Sequence, residues 1–198
     1  MEEQMVPGND SGMQTNTESE KELDSEKEAD SFYRLVKSRL MHPNQWHSYA
    51  GKATADFQLT DENGGPYQGE VREGFHFRID IPGPGSDTGE GYDWVRVEKI
   101  SEVESEEEKI FTIQVRPSTN PLNKDPDVAH FFADDATSSF MVSKKGRKVK
   151  AGVYGRNEKP NTDATSFKDK ARNTAMAAGA ITGFAKIQWK SLVNGLVE

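Results

Sequence analysis

From residue 52 to residue 154 the chain repeatedly alternates apolar and polar residues with a period of two, and turn-forming residues punctuate the repeats. Successive side chains of a strand point to opposite faces, so this pattern commits the middle of the chain to half-buried β-strands. Ala53, Ala55, Phe57 and Leu59 alternate with Thr54, Asp56, Gln58 and Thr60. Asp61-Glu62-Asn63-Gly64-Gly65-Pro66 then signals a turn. Phe75, Phe77, Ile79 and Ile81 form the inward set of a second strand, with His76, Arg78 and Asp80 facing away, and Pro82-Gly83-Pro84-Gly85 stops it. A third strand runs from Trp94 to Ile100 and a fourth from Ile110 to Val115, joined across the acidic run Glu102 to Glu108. A last hairpin pairs Ser139–Ser143 with Arg147–Tyr154 around Lys144-Lys145-Gly146.

Helical periodicity flanks the strands. Phe32, Leu35, Val36 and Leu40 make one apolar stripe that starts near Asp30 and ends before Pro43. Thr165 to Val197 is the longest helical pattern, with Phe167, Ala171, Thr174, Ala178, Ile181, Ala185, Gln188 and Leu192 stepping by four and three. The fold class that follows is α+β: a small antiparallel β-barrel or curled sheet of about six strands, SH3-like or OB-like, with a short N-terminal helix and a long C-terminal helix. Gly74-x-x-Phe77-x-Ile79, followed by Trp94-Val95-x-Val97, loosely resembles strands of SH3-like barrels over a small part of the chain and implies no function.

Charge divides the chain into three blocks. Residues 1–30 hold 10 acids and 2 bases, residues 31–140 hold 19 and 11, and residues 141–198 hold 4 and 12. The first block has no aromatic residue and few aliphatics, so it cannot bury enough apolar surface to offset ordering. This divides the chain into a disordered acidic leader (1–28), a barrel domain with the short helix (29–160), and a C-terminal helix (161–198) packed on the barrel or on a partner. The hydrophobic fraction is 33% and there is no cysteine, which excludes disulfides, thiol catalysis and cysteine-ligated metals. No secretory signal and no apolar run of membrane-spanning length occur, so the expected setting is cytoplasmic and off the membrane.

The strongest candidate site is the basic strip Lys144, Lys145, Arg147, Lys148, Lys150 and Arg156, with Tyr154 among them. Cations that track a backbone beside a ring that stacks a base suit single-stranded nucleic acid. The competing reading is an exposed edge strand kept from aggregating by lysines. The acidic leader is a candidate cover for the strip. The loop 82–94 has glycines that would let a phosphate approach, but it lacks the Gly-Lys-Ser/Thr ending and opens no helix; its carboxylates fit a solvated, flexible loop better. His130, with Asp127 and Asp134 nearby, is the weak candidate for metal binding or acid–base chemistry. Phe131-Phe132 reads as an anchor pinning its loop to the barrel. No Gly-x-Ser-x-Gly elbow occurs. Gly179 and Gly183, among alanines, would let another backbone approach the last helix.

These observations favour a non-catalytic interaction module that binds a protein partner through Trp46, Tyr49, Tyr92 and Trp94 or through the small-residue helix. Nucleic-acid binding through residues 144–156 is the alternative, and a metal-dependent enzyme around His130 the second. No cofactor is expected.

Overall fold

The computed structural model describes residues 2–51, 55–82, 85–182 and 184–198. Ala53, Thr54, Gly83, Pro84 and Gly183, used above to read strand, turn and helix patterns, lie outside the described residues. Among those described, seven strands and four α-helices make an α+β fold. Strand β1 (Met13–Glu22) precedes α1 (Glu26–Leu40) and the short α2 (Trp46–Ala50). Then come β2 (Asp56–Thr60), β3 (His76–Asp80), β4 (Asp93–Glu104), β5 (Glu108–Pro117), β6 (Thr137–Lys145) and β7 (Lys148–Glu158). Helices α3 (Phe167–Thr182) and α4 (Phe184–Leu196) follow. The strands form one open antiparallel sheet in the order β1-β7-β6-β5-β4-β3-β2.

The sheet is open, with β1 and β2 at its edges, and is not a closed SH3-like or OB-like barrel. Its seventh strand comes from the leader that composition marks as disordered. Residues 13–22 bury little apolar surface, yet they pair with β7 along nearly its full length, from Met13 opposite Glu158 to Glu22 opposite Lys148. The ladder hydrogen bonds and acid–base contacts across the pair supply what apolar burial does not.

Helix α1 is well specified by its ends. Ser25 caps it by accepting from the Glu28 N–H at 3.2 Å. Glu26 and Glu28 lie in the first turn, and Lys37 and Arg39 in the last, each on the side of the helix dipole that favours it. The buried stripe is Ala29, Tyr33, Val36 and Leu40. It is rotated from the expected one: Phe32 is only half-buried and Leu35 is exposed.

The main core lies between one face of the sheet and α1, α2 and α4. Trp46 sits at its centre, with ring centroids 5.1 Å from Phe57, 5.7 Å from Phe77 and 4.7 Å from Phe140. On the opposite face, Met5 and Val6 of the N-terminal segment cover Ile110, Met141 and Tyr154. His76, expected to face solvent, is buried there against Trp94. Both faces of the sheet are therefore covered in part, which is why several outward positions of the alternating pattern are not exposed.

Candidate functional site

Between the sheet and the C-terminal helices the packing leaves a cavity of about 200 Å³. Its floor is strand side chains: Phe57 from β2, Phe77 and Ile79 from β3, Val95, Val115 and Phe140. One wall is the connection between β5 and β6, through His130, Phe131 and Phe132. Ala175 and Met176 of α3 and Gln188 and Trp189 of α4 complete it. The strands alternate, so the same residues that the period-two pattern marks as inward supply the floor. The few polar groups at the cavity are Ser138, Glu158, His130 and Gln188.

A buried polar network fixes α3 over this space. Arg172 of α3 forms an ion pair with Asp93 at the start of β4. Asp93 Oδ1 also accepts the Phe131 N–H at 3.0 Å. Asn173 donates to the Asn161 carbonyl at 3.1 Å, and Asn161 donates to the carbonyls of Val128 and His130 at 3.0 and 3.1 Å. One turn earlier in α3, Asp169 accepts the N–H groups of Asp87 and Thr88 at 2.9 and 3.0 Å and the Thr88 hydroxyl at 2.8 Å. Burial works against the Asp169 charge, but these donors outweigh it and hold its carboxyl below the usual range. Asp87 and Thr88, in the stretch expected to be a flexible loop with solvated carboxylates, are tied to α3 in this way, while the Asp87 and Glu90 side chains remain exposed.

Two titratable groups at the cavity are shifted. Burial drives His130 down to about 4, with the Arg172 charge helping and Asp93 opposing. Its Nδ1 accepts the Phe132 N–H at 2.9 Å, so the neutral ring carries its proton on Nε2. Burial pushes the Glu158 carboxyl up, against the Thr15 hydroxyl and the Arg156 charge, which pull it down.

Trp46 and Trp94 are core residues, and Tyr92 is half-buried with the Arg78 guanidinium 4.4 Å from its ring centroid. None of the three is the free surface anchor that a protein-binding loop needs. Tyr49 is half-buried beneath Arg39. The basic strip lies against acids. Lys144 is buried beside Asp30 of α1 at 3.2 Å. Arg147 meets Glu22 at 2.7 Å, Lys148 meets Glu20 at 3.1 Å, and Lys150 meets Glu2 and Glu18 at 2.5 and 3.3 Å. Arg156 donates to the Thr15 carbonyl at 3.2 Å and to Asn16 Oδ1 at 2.8 Å. Lys145 remains exposed. Tyr154 is buried and donates its hydroxyl to Glu18, so its ring is not offered to a base.

Asp127 caps residue 165, accepting the Thr165 N–H and hydroxyl at 2.6 and 2.7 Å. Asp134 is exposed, and its carbonyl accepts from Arg116 at 2.9 Å. Neither carboxylate converges on His130, and no group of three or more potential metal ligands occurs among the described residues. Phe131 and Phe132 anchor their connection to α3 where the expectation was the barrel, packing with Ala136 against Ala177. The cavity residues Ser138, Glu158 and Gln188 carry no motif. Only the position of Glu158, a lone acid in a basic stretch at the end of a strand, sets it apart in the sequence.

No protein-family model matches the chain, and no curated protein matches it in sequence. Solved structures resemble it in shape. A hypothetical protein from Helicobacter pylori shares 13% identity at a TM-score of 0.49, covering 98% of this chain and 91% of its own. Truncated norcoclaurine synthase from Thalictrum flavum shares 12% at 0.37, covering 88% and 97%. Major latex-like protein 151 from Panax ginseng shares 14% at 0.37, covering 86% and 96%. At such identities and TM-scores these likenesses carry no argument about what this chain does. No helix among the described residues is long and apolar enough to cross a membrane.

Proposed function

We propose that this protein binds a small, largely apolar ligand in the cavity between its sheet and its C-terminal helices. The observation that carries the reading is the cavity itself: about 200 Å³ with a wall mainly of aromatic and aliphatic side chains and a few polar groups. Close packing is the rule in protein interiors, and a space of this size among apolar side chains departs from it. An apolar cavity of about 150 Å³ is enough to take up benzene. The polar groups are few and localised, as in sites where apolar contact supplies affinity and a few hydrogen bonds fix orientation. The neutral His130 ring and the buried Glu158 carboxyl are consistent with a dry site.

Titration with 1-anilinonaphthalene-8-sulfonate, followed by its fluorescence, tests the reading. Saturable binding at one site per chain is expected, with marked loss in Ala175→Trp. Ala175 is an exposed residue of α3 that lines the cavity, so the indole fills the mouth without displacing core residues. Absence of saturable binding, or undiminished binding in folded Ala175→Trp, overturns it.

A further inference from the structure

The cavity wall holds a carboxyl whose hydrogen-bonding capacity is only half used. Glu158, at the end of β7, lines the cavity and is 7% exposed. Its Oε1 accepts from the Thr15 hydroxyl at 3.2 Å. Its Oε2 is withdrawn from solvent and meets no hydrogen-bond partner among the described residues. The neighbouring cation does not serve it: Arg156 Nη1 is directed to the carbonyls of Thr15 and Gly155 and to Asn16.

The chain makes room for this arrangement. A Cβ at Gly155 would stand 2.1 Å from Glu158 Oε1 and 2.5 Å from Thr15 Oγ1. Only glycine leaves the carboxyl where it lies. A buried oxygen without a donor is costly, and such an atom in a folded protein calls for an explanation.

We propose that Glu158 selects the ligand: Oε2 accepts a hydrogen bond from a donor head, a hydroxyl or an ammonium, on an otherwise apolar molecule of one or two rings. This rests on the reading of the cavity as a ligand site and adds the chemistry of the ligand's polar end. The ring count follows from the volume, somewhat above that of a cavity that admits benzene. The preference follows from the carboxyl, because a ligand without a donor leaves Oε2 buried and unpaired, whereas a donor satisfies it.

The test uses the full chain and three molecules on one naphthalene frame: 2-methylnaphthalene and 2-naphthol, which share a shape, and 2-naphthylmethylammonium, one atom longer. Binding is followed by tryptophan fluorescence and calorimetry. Both donors should bind about tenfold or more tightly than the hydrocarbon. Glu158→Leu should bring all three within about threefold. Glu158→Gln should keep most of the naphthol advantage, because its carbonyl still accepts, and lose the ammonium advantage with the charge. Equal affinities in the unaltered protein, or an unchanged preference in folded Glu158→Leu, overturn the proposal. If Glu158→Leu does not fold, Glu158→Gln decides: retention of the full ammonium preference overturns it. Hydrocarbon binding without donor preference overturns this proposal alone, while failure of all three to bind overturns the cavity reading with it.

Discussion

Asp93 and Arg172 form an ion pair with side chains 1% and 4% exposed, joining the start of β4 to the first half of α3. Both charges have been taken out of water, so the pair is sustained by mutual attraction and by further bonds: Asp93 Oδ1 to the Phe131 N–H, and Arg172 Nη1 to Asn173 Oδ1 at 3.2 Å. Removing Arg172 leaves the Asp93 carboxylate buried without its counter-charge. Arg172→Met is expected to cost about 3–5 kcal/mol in urea unfolding. It should also abolish dye binding, because α3 forms part of the cavity. A loss below about 1 kcal/mol, the range of an exposed pair, would show that the bridge does not hold α3 in place.

The same pair shows why parts of the site were illegible in the sequence. Asp93 and Arg172 are far apart in the chain, and nothing near either residue signals a partner. The floor of the cavity was legible, because Phe57, Phe77, Ile79, Val95, Val115 and Phe140 occupy inward positions of period-two segments. Strand β1 was not. Its residues are almost all polar, and low apolar content does not separate a disordered leader from an edge strand held by ladder hydrogen bonds. The available signal was electrostatic: Glu20 and Glu22 alternate as Lys148 and Lys150 do, and the register sets Glu20 opposite Lys150 and Glu22 opposite Lys148. The inward turn of Trp46 was illegible for a simpler reason: it lies in a stretch of irregular pattern, and a sequence does not say whether such an aromatic turns inward or outward. Trp94 opens a strand, a position that suits the core it occupies.

Two glycines should divide sharply by the space around them: Gly155, beside Glu158, and Gly8, in the exposed N-terminal segment. Gly155→Ala puts a methyl group 2.1 Å from Glu158 Oε1, so the carboxyl must move and the bond from Thr15 must break. A loss of about 1–3 kcal/mol is expected, as for other overpacked sites. Gly8→Ala meets nothing within 4 Å at a backbone angle any residue adopts, and its thermal midpoint should be unchanged. Equal midpoints for the two variants would count against the placement of Glu158.

The acids of β1 should govern what the basic strip can bind. Glu18, Glu20 and Glu22 pair with Lys150, Lys148 and Arg147 at partly or largely exposed positions. Such pairs contribute little each, so Glu18→Gln/Glu20→Gln/Glu22→Gln should lower stability by no more than about 2 kcal/mol in total. The exposed cations left behind should then attract polyanions. Anisotropy with a labelled single-stranded oligonucleotide should show binding by the triple variant that weakens steeply with salt, and little by the unaltered chain. Equal binding by both would mean that β1 does not neutralise the strip.

His130 should make the protein sensitive to mild acid. In the folded state burial holds its pKa at about 4, against 6.5 for the free side chain. The folded pKa lies below the unfolded one, so the unfolded chain takes up the proton first as pH falls. The stabilising contribution is complete above about 6.5 and is lost progressively down to about 4. At pH 5 the loss from this residue amounts to about 2 kcal/mol. His76, also lowered by burial, adds to the loss in the same direction. Glu158, raised by burial, works in the opposite direction, gaining stability as it is protonated. His130→Asn isolates the first contribution, since its Oδ1 can still accept the Phe132 N–H. Denaturant midpoints at pH 7 and pH 5 should fall less in His130→Asn than in the unaltered chain. Parallel declines in the two proteins would show that His130 is solvated, and that the cavity beside it is wet.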